Sequence, residues 1–194
     1  MRKAVFLDRD GTINEIVYYQ DLGIVDSPFT AEQFKLLPQV GEAIRILNQS
    51  EFKVILVSNQ PGIAKGHFSM ETFEVIRKKM RTELAKHGAL LDAEYYCLHH
   101  PEVKNKEYKK NCECRKPKKG LLLRAAKDLN INLSNSWMVG DGLTDIEAGK
   151  KAGCKTILIG RMKCELCRLM DEKNTPDYIV KDLYSSIDVI KKEV

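Results

Sequence analysis

The sequence predicts an α/β fold, a doubly wound parallel sheet with helices on both faces. Two observations carry it. Short apolar runs recur at residues 4–7, 53–57, 93–97, 137–139, 156–159 and 178–180. They are rich in Val, Ile, Leu and aromatics without clean alternation, as strands buried on both faces require. Helical patterns lie between them, and such alternation is the signature of a parallel sheet wrapped by helices. At 194 residues the chain suits a single domain spanning 1–194 and can bury a full core.

Each element has its own local reason. Residues 39–48 carry Val40, Ala43, Ile44 and Leu47 on one face, with Pro38 near the start. Ser69 suits the cap of a helix running to about His87, and Gly88 suits its end. Residues 119–129, 144–152 (closed by Gly153) and 185–192 read as helices in the same way. Two segments break this Rossmann-like rhythm, 14–37 after the first strand and 99–118 after the third.

Composition narrows the class. Hydrophobic residues make up 43% and charged residues 30%, an ordinary balance for a soluble globular protein. The formal net charge is +5, with lysines and acids interleaved, which argues against a nucleic-acid surface and favours a small anionic substrate. No apolar run approaches the roughly 20 residues that span a bilayer, and the start is too short for a signal peptide. The expectation is a cytoplasmic monomer that takes neither nucleic acid nor membrane as a partner. Its six cysteines then read as thiols or metal ligands.

In open parallel sheets, ligands collect beyond the carboxyl ends of the strands. The polar residues at those ends are Asp8 and Asp10, Ser58 and Asn59, Arg115 and Lys116, and Asp141 with Asp145. Carboxylates gathered in one crevice repel one another unless a cation separates them, and hard oxygen donors beside a phosphate suit Mg²⁺. Gly11 allows a sharp turn and a close approach of backbone N–H to an anion. Asp-Gly alone marks many turns. The order Asp8-Arg9-Asp10-Gly11-Thr12 followed, after a later strand, by Gly140-Asp141 and Asp145 says more.

These two motifs, with Val57-Ser58-Asn59-Gln60 and Arg115-Lys116-Pro117, resemble in order the four motifs of the haloacid dehalogenase superfamily of phosphatases. The likeness spans residues 6–159. It implies that Asp8 is a nucleophile that accepts the phosphoryl group. Asp10 would protonate the leaving oxygen and then activate water, with Mg²⁺ held by Asp8, the Asp10 carbonyl and Asp141. The chemistry is coherent. A carboxylate nucleophile splits one hard displacement into two easier steps. An anion attacking a phosphate needs fixed positive charge nearby, which Mg²⁺ and Lys116 would supply, with Ser58 bonding the equatorial oxygens.

Cys97-Leu98-His99-His100 and Cys112-Glu113-Cys114 set three thiolates and an imidazole as C-x-H and C-x-C, a closed ligand set for structural Zn²⁺. Spacing alone leaves His99 and His100 open. A zinc-clipped loop at about 97–118 would hold Arg115 and Lys116 over the phosphate site, where the lysine-rich residues 103–110 cannot bury much apolar surface. Within the superfamily this clip resembles two branches, the D,D-heptose 1,7-bisphosphate phosphatases and the N-terminal domain of histidinol-phosphate phosphatases. The likeness points to Cys97, His99, Cys112 and Cys114 as ligands. The longer loop before Cys112 and the run 59–66 favour the heptose branch, in which Ser58, Asn59, Gln60 and Pro61 would line the substrate site and Arg115 would meet its distal part.

Two departures stand out. A long, tyrosine-bearing stretch at 15–33 replaces a shorter segment of that branch and should reach the substrate side, where Tyr18 and Tyr19 come near. Gly142 stands where a charged residue usually follows the metal-binding aspartate. Elsewhere, Cys164 and Cys167 read as free thiols on a surface loop and Cys154 as core. His67 and His87 show no partner, and Trp137, Tyr95 and Tyr96 read as packing. The expected activity is hydrolysis of a sugar bisphosphate monoester. Histidinol-phosphate hydrolysis is the enzymatic alternative, and a non-enzymatic zinc-binding module is the alternative of another class.

Overall fold

The computed structural model describes residues 1–160 and 175–193. Six strands form one parallel sheet: β1 (Lys3–Leu7), β4 (Phe52–Asn59), β5 (Ala93–Cys97), β6 (Trp137–Gly140), β7 (Lys155–Ile159) and β8 (Tyr178–Val180), in the order β5-β4-β1-β6-β7-β8. The helices are α1 (Val40–Asn48), α2 (Gly62–Lys65), α3 (Met70–Lys86), α4 (Gly120–Leu129), α5 (Leu143–Ala152) and α6 (Leu183–Lys192). The expected parallel architecture is therefore present, and the six expected strands match within two residues at each end.

Strand periodicity divides the core in two. Val5, Leu7, Val54, Leu56, Trp137, Val139 and Ile157 face one side, where α1, α3 and α6 pack through Ile44, Leu47, Ile76, Met80, Leu84, Ile187 and Ile190. Ala4, Phe6, Ile55, Val57 and Met138 face the other, covered by Leu121, Leu122 and Ala125 of α4 and Ala148 of α5. Each fully buried Leu or Ile contributes on the order of 1.5–3 kcal/mol. This double cover makes the sheet rigid, so the loops at its carboxyl edge start from fixed points.

Helix ends follow their local chemistry. Ser69 accepts a hydrogen bond from the Thr72 amide at the start of α3, and the Asp182 carboxylate accepts from the Ser185 amide at the start of α6. Gly153 closes α5 in the left-handed region (φ +85°), where a side chain would be strained.

The sheet's switch point falls at β1, whose neighbours are β4 on one side and β6 on the other. The chain runs outward from β1 through β4 to β5, then crosses back to β6. Asp8 leaves β1 at this gap, with its amide donating to the Val139 carbonyl at 3.0 Å. Crevices in such sheets open at this position.

The stretch 15–33 contains a small hairpin, β2 (Val17–Tyr19) and β3 (Ile24–Asp26), joined by a short helical turn that Gly23 closes at φ +62°. Tyr18 pairs with Val25 across it. Among the described residues, no helix is long and apolar enough to cross a membrane.

Candidate active site

The loop after β1 folds back on itself. The Arg9 carbonyl accepts from the Ile13 amide at 2.7 Å and from Asn14 at 3.1 Å, while the Gly11 amide donates to the Asn14 carbonyl. Gly11 sits at φ +83°, and a Cβ there would collide with the Asp141 carboxylate. That missing side chain is what lets the β6 loop close against the β1 loop.

Asp8, Asp141 and Asp145 each present a carboxylate oxygen, all three within 4.8 Å of one another. Lys116 enters from across the sheet edge. Its Nζ lies 2.8 Å from Asp8 Oδ1 and 2.5 Å from Asp145 Oδ1, and it donates to the Val57 carbonyl at 2.8 Å. Burial works against the Lys116 charge, but Asp145 and Asp8 outweigh it and raise its pKa. Burial also raises the Asp145 pKa against the pull of Lys116, with Asp8 pushing the same way as burial. One ammonium cannot neutralise three carboxylates. The remaining negative charge, hard oxygens and close spacing fit a divalent cation.

Asp10 is held from all sides. Its Oδ1 accepts from Arg9 Nε (3.2 Å), Arg9 Nη2 (3.1 Å) and Asn14 Nδ2 (2.9 Å), and its Oδ2 from Gln60 Nε2 (2.5 Å). Gln60 Nε2 also donates to Ser58 Oγ at 3.1 Å. Asn59 clamps the Lys116 backbone in both directions, its Oδ1 accepting from the Lys116 amide and its Nδ2 donating to the Lys116 carbonyl, each at 3.0 Å. Sequence reasoning placed Asn59 and Gln60 among residues facing the substrate. In the fold the Asn59 amide holds the Lys116 backbone and Gln60 Nε2 holds Asp10, while Pro61 stands directly before α2.

Asp145 carries more than its place in a motif suggested. Besides pairing with Lys116, it accepts from the Gly142 amide at 3.1 Å and so anchors the start of α5. Arg9 and Asn14, both fully buried, lie in the quoted motif, but sequence reasoning assigned them no role of their own. The only signal was an arginine inside an otherwise apolar and acidic turn.

The cysteine cluster assembles beside this edge. Cys97 Sγ lies 3.4 Å from Cys112 Sγ and 3.1 Å from Cys114 Sγ, and Cys112 and Cys114 are 3.2 Å apart. His99 Nδ1 lies 3.4 Å from Cys114 Sγ and 3.9 Å from Cys97 Sγ. His100 turns away and accepts from the Glu102 amide. A contact with Cys97 foremost, then Cys112 and His99, lowers the Cys114 pKa. Three sulfurs and one imidazole nitrogen converging this closely suit a tetrahedral Zn²⁺. Arg115 follows directly and donates from Nη1 to the His99 carbonyl.

The hairpin docks on the loop that follows β4. Asp26 pairs with Lys65 at 3.0 Å, and His67 Nδ1 lies 3.9 Å from the same carboxylate. Phe29 stacks on Tyr19 with ring centroids 3.9 Å apart and packs on His67 at 4.4 Å. His67 therefore has partners that its sequence context does not reveal, and the His87 ring packs over Gly41. Tyr19 is a structural tie, its hydroxyl donating to Ser27 or Gln33 and accepting from the Phe29 amide, whereas Tyr18 is exposed. Cys154, Trp137 and Tyr96 are packed as expected; Cys164 and Cys167 lie outside the described residues.

Comparison with known proteins agrees with this geometry. The Hydrolase_like family model, HAD-hydrolase-like, matches residues 113–186. The chain is 39% identical over 191 residues to a D-glycero-beta-D-manno-heptose-1,7-bisphosphate 7-phosphatase of Pasteurella multocida, covering 98% of each protein. The chain belongs to the haloacid dehalogenase-like phosphatases. A relative of the same name from Haemophilus influenzae is 44% identical over 161 residues, 83% of each chain. Among solved structures, the D,D-heptose 1,7-bisphosphate phosphatase of B. bronchiseptica, complexed with magnesium and phosphate, superposes with a TM-score of 0.81 at 29% identity over 99% of both chains. As a haloacid dehalogenase-like phosphatase, the chain is an enzyme acting on phosphate monoesters.

Proposed function

We propose that the chain removes the C7 phosphate of D-glycero-β-D-manno-heptose 1,7-bisphosphate through a phosphorylated Asp8. The observation that carries this reading is the junction of Asp8, Lys116 and Asp145 beside Asp141, at the switch point of a sheet whose full length resembles heptose bisphosphate phosphatases.

In the first step an Asp8 oxygen bonds to phosphorus, and the bond from phosphorus to the sugar oxygen breaks. That oxygen leaves with its electron pair and takes the proton of Asp10. In the second step Asp10 takes a proton from water as the water oxygen bonds to phosphorus. The bond to Asp8 breaks, and inorganic phosphate leaves. Lys116 keeps its charge against the phosphoryl oxygens, and the Ser58 hydroxyl bonds one of them. Asp8, the Asp10 carbonyl and Asp141 would hold Mg²⁺, which supplies the rest of the charge neutralisation when bound. Cys97, His99, Cys112 and Cys114 would hold Zn²⁺ as a structural clip. Arg115, fixed by that clip, meets the distal part of the substrate.

Rate constants on heptose 1,7-bisphosphate, fructose 1,6-bisphosphate and histidinol phosphate, with and without Mg²⁺, test the reading. The heptose ester should be turned over fastest and only with Mg²⁺; preference for histidinol phosphate would reject the substrate. Asp8→Asn should abolish phosphate release without altering the circular dichroism spectrum, and retained turnover would reject the covalent route.

A further inference from the structure

Arg9 is among the largest fully buried side chains described, and its Nη1 has no hydrogen-bond partner. Burying a guanidinium is costly, and leaving one of its donors unsatisfied costs more. Its Nε and Nη2 both reach one atom, Asp10 Oδ1. Asn14, also fully buried, supplies a third donor to that oxygen, and Gln60, buried as well, donates to the other. All of these donors sit on the tight β1 loop or directly after the adjacent parallel strand β4. None comes from the hairpin.

We infer that Arg9, Asn14 and Gln60 are positioning residues that preset the Asp10 carboxyl beside the phosphoryl site. This rests on the assignment of Asp10 above. A carboxyl with free rotamers would have to be ordered in each turnover, whereas four donors from rigid elements hold it beforehand. Gln60 further ties Asp10 to Ser58, so acid and phosphate-binding hydroxyl share one frame.

The test separates positioning from damage by choice of leaving group. Asn14→Ala and Arg9→Met are assayed on the heptose bisphosphate and on p-nitrophenyl phosphate, whose leaving phenolate needs no proton. A displaced general acid and base should lower kcat on the sugar ester by roughly 10²-fold with KM changed less than about threefold. With p-nitrophenyl phosphate, Asp8 should still be phosphorylated at near wild-type rate, giving a burst of about one nitrophenolate per chain, followed by slow turnover because Asp10 no longer aligns water. Unchanged kcat on the sugar ester overturns the inference. So does a burst rate that falls in step with sugar turnover, since that marks disruption at Asp8 or of the fold. Failure of the underlying mechanism shows separately, as wild-type protein that hydrolyses neither ester with Mg²⁺.

Discussion

Lys116 Nζ stands 2.8 Å from Asp8 Oδ1, so an ammonium delivered by the loop that carries Cys112 and Cys114 rests on the carboxylate at the end of β1. Only 3% of Lys116 is exposed. Two remote segments thus meet in a pair that solvent hardly screens, and the same ammonium reaches Asp145. Replacing Lys116 with Met leaves the buried Asp145 carboxylate facing the partly buried one of Asp8. We expect kcat/KM to fall by about 10²–10³-fold. Stability should fall by roughly 3–5 kcal/mol, the usual consequence of removing one partner of a buried pair. Steady-state kinetics and denaturant melts check both.

Gly11 controls how closely the β1 and β6 loops approach. In Gly11→Ala the methyl group runs into Asp141, and the left-handed backbone (φ +83°) adds about 1–2 kcal/mol of strain. The Mg²⁺ concentration needed for half-maximal activity should rise at least about tenfold, because Asp141 is pushed from the carboxylate group. A Mg²⁺ titration of turnover reads this directly.

Removal of zinc should loosen the loop that carries Arg115 and Lys116. Elemental analysis should find about one zinc per chain, and Cys112→Ser or strong chelation should lower both zinc content and melting temperature. Turnover should decline in parallel, since Lys116 loses its fixed approach. Chelated protein that melts and turns over normally would reject the clip.

Acid should loosen the hairpin where Asp26 meets Lys65 and His67. Burial raises the Asp26 pKa, but the Ser27 amide and Lys65 outweigh it, leaving the value below the ordinary 3.8. That contact is complete above 3.8 and is lost as pH falls through the lower docked value. Burial lowers the His67 pKa from 6.5, with Asp26 opposing only in part. Protonation therefore favours the undocked form as pH falls below 6.5, and docking is insensitive to His67 above it. Protease cutting within residues 20–26 should increase from pH 7 to pH 5, and His67→Phe should flatten the change across that range.

Much of this was legible because it is local. The strands at 93–97 and 178–180 occupy the expected residues, since apolar runs bounded by turn signals need no remote information. Ser69 and Gly153 mark helix ends through their own backbone chemistry. The hairpin at 17–26 was not legible. Its turn is longer than the two-residue Asn-Gly or Asp-Gly type that announces a hairpin, and it is held down by contacts with Phe29, Lys65 and His67.

By itself the sequence determined the parallel α/β architecture and the edge at which Asp8, Asp10, Lys116 and Asp141 gather, because periodicity and turn chemistry act over a few residues. Only the tertiary structure decided that Gln60 and Asn59 serve Asp10 and Lys116, and that a buried Arg9 grips Asp10. Those choices depend on side chains from separate loops reaching the same few ångströms. That in turn depends on strand register and helix docking, which no short stretch of sequence encodes.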